Sequence, residues 1–411
     1  MSAFIRLCNI GLRGLTLATK FALLLVLAIY LDPAEVGIYG LLTASLGWLI
    51  YLVGWDFYTF SAREIAGSGK DLLPSSISSQ AALYFVTYIP ITIAIIIAYI
   101  CGVKYTEHAI IFIALFILEH IGLELGRILV AIGHPLLASF ILFLRGGVWC
   151  IALVAVLALA PAYRELSVVL CFWLVGSASA ALLGCVALHR LMGATVFLGP
   201  IDWRWTLKGL KVALPLMLAS LSIRGIFVAD RMWIESIVGI DMLGAYVFYI
   251  GIATVIISFI DAAVVDFSYP KLVSAVKNGD ARSYLREMRI VWLGVAALTI
   301  ISGLVCWTFL WNVGEWLSRP VYQQNRFLVP YLILCIVLYG FSTIPHLALY
   351  AHRRDGSIVA SQIATFLSFV GLLLILPSSL GVMSVVFSML IAFGLMLFWK
   401  GISAYRQGLL S

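Results

Sequence analysis

Charge is scarce in this chain. Only 11% of its 411 residues are Asp, Glu, Lys or Arg, and 63% are apolar. A soluble protein of this length could bury a good core, but it could not hide so much apolar surface. Cysteine is sparse as well. The seven (Cys8, Cys101, Cys150, Cys171, Cys185, Cys306 and Cys335) stand singly, mostly within apolar runs, and no Cys-x-x-Cys pair occurs. They read as small packing residues, which argues against zinc or disulfide chemistry. There is no phosphate-binding loop fingerprint, so ATP does not supply energy to this chain directly. Nor is there a concentrated basic patch. The net charge of +7 is spread over short loops, which excludes nucleic acid as a partner. Short alternating strands are missing too, and with them a transmembrane barrel. The first apolar run, Leu12 to Leu31, ends in Asp32-Pro33 and not in a small-residue cleavage site, so it reads as a span and not as a signal peptide.

What remains is long and apolar. Mean hydropathy is +1.10. Runs of about 20 residues indicate membrane-spanning helices. Twelve are expected, over 11–31, 37–56, 78–101, 108–130, 137–160, 166–189, 210–238, 243–265, 287–311, 327–350, 357–377 and 381–400. The fold class is therefore an all-α integral membrane protein. Eighteen of the 26 Lys and Arg fall on one set of connecting segments, and only Lys104, Arg164, Arg319 and Arg326 fall on the other. The positive-inside rule puts the first set, and both termini, in the cytoplasm.

Both of the longest gaps, 190–209 and 266–286, are cytoplasmic. The first holds Asp202-Trp203-Arg204-Trp205, which suits a segment lying among headgroups. The expected organisation is a six-helix lobe (1–190), an amphipathic linker (191–209) and a second six-helix lobe (210–411). An internal echo supports a duplication. Val36-Gly37-Ile38-Tyr39, where the first span gives way to the second, returns 207 residues on as Leu243-Gly244-Ala245-Tyr246. Six spans is an even number, so the repeat is parallel.

The four remaining cations sit inside spans: Lys20, Arg145, Arg224 and Arg231. A charge at mid-bilayer costs about 2.5–3.5 kcal/mol even on lenient scales, so it faces protein or a wet cavity. Lys20 lies eleven residues before Leu31, about 16 Å along a helix axis. Arg224, Val228, Arg231 and Glu235 form one stripe, and Arg231 could pair with Glu235. Arg145 precedes Gly146-Gly147, which would admit another backbone or a ligand. Either each cation neutralises an acid on a neighbouring helix, or several share one cavity that receives an anion. Among the acids, Glu119 and Glu124 stand near mid-membrane and Asp261 ends a polar seam with Thr254 and Ser258. These three are the candidates for proton or ion coupling. No catalytic group, metal site or cofactor is indicated. Pro90, Pro215 and Pro345 are expected to kink their spans.

The segments LDPAEVGIYGLLTA, WDFYTFSARE, LPLMLASLSIRGIFVADRMWIESIVGIDMLGAYVFY and LALYAHRRD resemble the polysaccharide (O-antigen type) flippases of the multidrug/oligosaccharidyl-lipid/polysaccharide exporter superfamily. The resemblance spans nearly the whole chain. It implies two bundles that alternate between inward- and outward-facing states. The implied cargo is an undecaprenyl-diphosphate-linked oligosaccharide, moved from the cytoplasmic to the periplasmic leaflet of the bacterial inner membrane. Membrane lipids and a polysaccharide polymerase machinery are the other implied partners. Lys20, Arg145, Arg224 and Arg231 would then hold the phosphates. A drug/cation antiporter of the same superfamily, or a membrane-embedded polymerase or ligase, are the alternatives. The antiporter would want acidic spans, and the enzyme a large outer loop.

Overall fold

The computed structural model describes residues 3–67, 73–102, 106–317 and 319–409. Lys70 and Lys104, counted above in the charge bias, lie outside the described residues. All regular structure among the described residues is helical. Twelve helices are long and apolar enough to cross a membrane. They are α1 (Ala3–Tyr30), α2 (Pro33–Gly54), α3 (Leu73–Ile100), α4 (Ala109–Ala131), α5 (Pro135–Leu159), α6 (Leu166–Met192), α7 (Trp203–Ile237), α8 (Ile240–Lys277), α9 (Ala281–Val313), α10 (Leu328–Ala351), α11 (Asp355–Ile375) and α12 (Val382–Arg406). The protein is a multi-pass membrane protein of twelve spans.

Two expected loops are largely helix. Residues 203–209 form the first two turns of α7, and residues 266–277 complete α8. Polar residues there end the hydrophobic run without ending the helix. The connection after α8 shrinks to Asn278–Asp280. Asp280 caps α9 by accepting the Ser283 backbone N–H at 3.0 Å.

The chain divides into two compact units. Unit 1 comprises Met1–Leu31 and Leu42–Met217, and unit 2 comprises Asp32–Leu41 and Leu218–Ser411. Of the three boundaries, one falls between α1 and α2, and the other two fall inside helices, within α2 and within α7.

Within unit 1, α5 is interrupted by a π-helical turn, Leu144–Val148. Such turns carry one extra residue and recur at functional sites. Arg145 sits in it. Pro90 lies inside α3 and Pro215 inside α7.

Within unit 2, the repeated Gly-x-Tyr segments meet each other. A β-carbon on Gly37 would come 2.7 Å from the Ile240 carbonyl oxygen, and one on Gly244 would strike the Pro33 carbonyl. Only glycine permits this approach of the first turns of α2 to the first turns of α8. Tyr246, from the second copy, is fully buried. A second π-helical turn, Asp261–Val265, interrupts α8. In α10 the helix relaxes at Ser342, three residues before Pro345.

Candidate functional site

Unit 1 contains a cavity of about 330 Å³ between α1, α4, α5 and the short helix Tyr58–Gly67. Arg13, Arg127 and Arg145 line it, with Gly122, Gly126 and Ser139. Gly122 and Gly126 are one turn apart on α4, so they leave one face bare. A β-carbon on Gly122 would come 3.2 Å from Arg145 Cδ.

Each arginine is positioned by a different device. Arg145, half-buried on the π-helical turn, donates from Nη1 to the Glu119 carbonyl at 3.0 Å, and its Nε lies 3.7 Å from Glu119 Oε2. Glu119 is in turn fixed through Oε1 by Trp173 Nε1 at 2.9 Å and Ser177 Oγ at 2.6 Å. Arg127 pairs with Glu124, and its guanidinium stacks over the Tyr58 ring at 3.6 Å. Glu124 also accepts from Tyr84 Oη at 2.7 Å and Gln80 Nε2 at 2.9 Å. Arg13 donates to Ser139 Oγ at 3.4 Å, and that hydroxyl donates to Asn9.

Lys20 stands beside this wall. A β-carbon on Gly146 would lie 2.8 Å from Lys20 Cε and 3.3 Å from its Nζ. The amine is within electrostatic reach of Arg145 and Glu119. The glycine pair after Arg145 therefore admits α1 and its lysine. Four cations converge here against two carboxylates, Glu119 and Glu124. Glu119 pairs with Arg145 and Glu124 with Arg127, so the basic side chains gathered here outnumber these two acids.

The other two expected cations belong to unit 2. Arg224 and Arg231 share a face of α7, seven residues apart, and both are half-buried. Arg231 pairs with Asp230, its chain neighbour, at 3.2 Å, and its backbone N–H donates to the same carboxylate at 2.6 Å. Asp230 is fully buried and accepts Tyr246 Oη at 2.6 Å. The i+4 partner expected from helix spacing, Glu235, is thus not the acid that holds Arg231 in this ion pair. Asp261 opens the π-helical turn of α8 with Asp266 as its charged neighbour. It is in a different unit from Glu119 and Glu124.

Several residues escaped sequence reasoning. Arg13 and Arg127 counted as cytoplasmic topology signals, yet they line the cavity. Their heptad and i+7 spacings, Arg13 with Lys20 and Arg127 with His120, were the available clue. Lys400 counted likewise, but it is buried and has His346 as its electrostatic neighbour. Gln80, Tyr84, Trp173 and Ser177 gave no signal apart from being polar groups within spans.

No protein-family model matches the sequence, and no match was found among curated proteins. The fold does have solved relatives. One is an inward-facing multidrug resistance transporter of the MATE family in the MOP superfamily, with a TM-score of 0.73 and 15% identity over 99% of each chain. A second is the MATE multidrug transporter DinF-BH in complex with R6G, with a TM-score of 0.61 and 14% identity over 100% of this chain and 97% of that one. A third is a MOP superfamily transporter from Pyrococcus furiosus, reported with a binding pocket of reversed polarity that suggests a different function. Its TM-score is 0.58 with 17% identity, over 98% of this chain and 96% of that one. The chain has the fold of these proteins, and each of the three is a transporter.

Proposed function

We propose that this protein is an alternating-access transporter of the MOP fold whose cargo is an anionic amphiphile, an undecaprenyl-diphosphate-linked oligosaccharide moved from the cytoplasmic to the outer leaflet. One observation carries the reading. Among the described residues the cavity of unit 1 is lined by Arg13, Arg127 and Arg145, with Lys20 beside it, while Glu124 and Glu119 pair with two of these arginines. A site for a cation would be built the other way round. The forked donors of arginine suit a diphosphate, and the largely apolar remainder of the wall suits the adjoining lipid or sugar ring. Arg224 and Arg231 of unit 2 are proposed as further cargo-binding residues, with both termini cytoplasmic and the inner membrane as the location. Glu119, Glu124 and Asp261 are the proposed coupling acids.

A second reading, drug antiport, is favoured by the fold comparison, because the named neighbours include multidrug transporters. Reconstituted protein separates the two. Vesicles are loaded with a fluorescent diphosphate-linked oligosaccharide lipid on one leaflet, and in parallel with a cationic dye. The expected result is leaflet exchange of the diphosphate lipid, lost in Arg127→Met and Arg145→Met. Dye transport without lipid exchange would overturn the proposal.

A further inference from the structure

His120 is packed into the acid–arginine network, and nothing so far accounts for it. The imidazole is 1% exposed. Its Nδ1 lies 2.6 Å from Tyr88 Oη. Its Nε2 is buried with no hydrogen-bond partner among the described residues. Leaving a buried polar nitrogen unsatisfied costs about 1–3 kcal/mol, so such a group needs a reason. The surroundings supply one. Tyr84 and Tyr88 on α3 set their rings edge-on to the imidazole at 4.6 and 5.5 Å. Gly54, the last residue of α2, lies over Nε2. A β-carbon there would be 3.2 Å from Nε2 and 4.0 Å from Glu124 Oε1. The bare nitrogen and the carboxylate that holds Arg127 thus look onto the same small space.

We propose that His120 is a proton-binding site that sets the charge of the cavity through Glu124 and Arg127. This rests on the anionic-cargo reading above. The charged groups facing the imidazole are Glu124 and Arg127 on its own helix and Arg145 on α5. The titratable ones on α3 are Tyr84 and Tyr88, and Asp56 follows Gly54 by two residues. The proton arrives from water onto the Nε2 lone pair, giving an imidazolium whose two N–H groups donate toward Tyr88 Oη and Glu124. No covalent bond forms or breaks apart from the N–H bond itself. Glu124 then shares its negative charge between two cations. Its hold on Arg127 weakens, and the guanidinium turns to the cavity it already lines. Protonation and anion binding therefore reinforce each other, and the coupling is reciprocal.

The test measures proton uptake by the full-length protein in detergent, in weak buffer, when inorganic pyrophosphate or farnesyl diphosphate is added. Wild type takes up protons, and with one proton per anion its affinity rises about tenfold for each unit the pH falls. His120→Gln, which keeps a hydrogen-bonding group but cannot hold the charge, still binds and loses the uptake and the pH slope. Tyr88→Phe retains the uptake with its midpoint moved to lower pH, because the imidazolium has lost an acceptor. Uptake unchanged in His120→Gln, or an unmoved midpoint in Tyr88→Phe, overturns the proposal while the cargo reading stands. Failure of either diphosphate to bind wild type overturns both. If His120→Gln does not fold, the Tyr88→Phe midpoint decides.

Discussion

Glu124→Gln pulls stability and anion affinity in opposite directions. The carboxylate is 6% exposed and the Arg127 side chain 18%, so the pair is shielded from solvent. Removing one member of a buried pair costs about 3–5 kcal/mol, since the other is left with an uncompensated charge. Arg127 retains the face of Tyr58 and can turn to the cavity, so the lower end applies, about 3 kcal/mol. Glutamine keeps the shape and can still accept from Tyr84. The same change removes a negative charge beside the cavity. At an effective dielectric of ~20 and a separation of ~10 Å that charge is worth about 1.7 kcal/mol, roughly twentyfold in affinity for a single anionic charge. The assay is a double-mutant cycle of Glu124→Gln and Arg127→Met, followed by tryptophan fluorescence during SDS titration in mixed micelles. Pyrophosphate affinity is measured in parallel on Glu124→Gln. The double variant should be more stable than the sum of the single losses allows, by about 2 kcal/mol. Losses additive to within about 0.5 kcal/mol, or a Glu124→Gln protein that binds pyrophosphate more weakly than wild type, would refute the reasoning.

Gly122→Val should fill the floor of the cavity and crowd Arg145, abolishing pyrophosphate binding while the protein still inserts and elutes as a single species in detergent. Asp230→Asn should destabilise unit 2 by about 3 kcal/mol, because Arg231 and Tyr246 lose a fully buried carboxylate; SDS titration reads this, and an unchanged midpoint would rule it out. The Asp280 carboxyl is held below its ordinary range, chiefly by the hydrogen bond it accepts from Ser283 at the start of α9. Its contribution is therefore present at neutral pH, above the ordinary value of 3.8, and lost as the pH falls through the lowered value. Hydrogen exchange of the first turn of α9 should be faster in Asp280→Ala than in wild type at pH 6, and the two should converge in strong acid.

How legible the molecule was depended on what kind of information each feature carries. Spans were legible because apolar length is a local property. Gly37 and Gly244 could be paired as copies, although their packing against each other could not be read from either segment. The end of α8 was misjudged because hydropathy reports where lipid ends, not where hydrogen bonding ends. The cavity was legible only as a count of misplaced charges. Lys20 and Arg145 do converge, but Glu119 is 26 residues from Arg145, and no periodicity links them. Asp230 was overlooked although it adjoins Arg231, because neighbours in sequence point to different sides of a helix. Its carboxylate reaches Arg231 through the backbone N–H as well as the guanidinium.

The π-helical turn in α5 gives that helix two phases. Before it, Ser139 addresses Asn9 and Arg13 of α1. Within it, Arg145 turns to α4. After it, Trp149 stacks on Trp173 of α6, with ring centroids 6.0 Å apart, over the bare backbone of Gly176. Deleting a single residue from 144–148 would restore regular winding and swing one flank by about 100° against the other. Either the α1 contacts or the tryptophan stack would have to be given up. Chain length at this spot is thus as tightly constrained as the identity of any side chain around it.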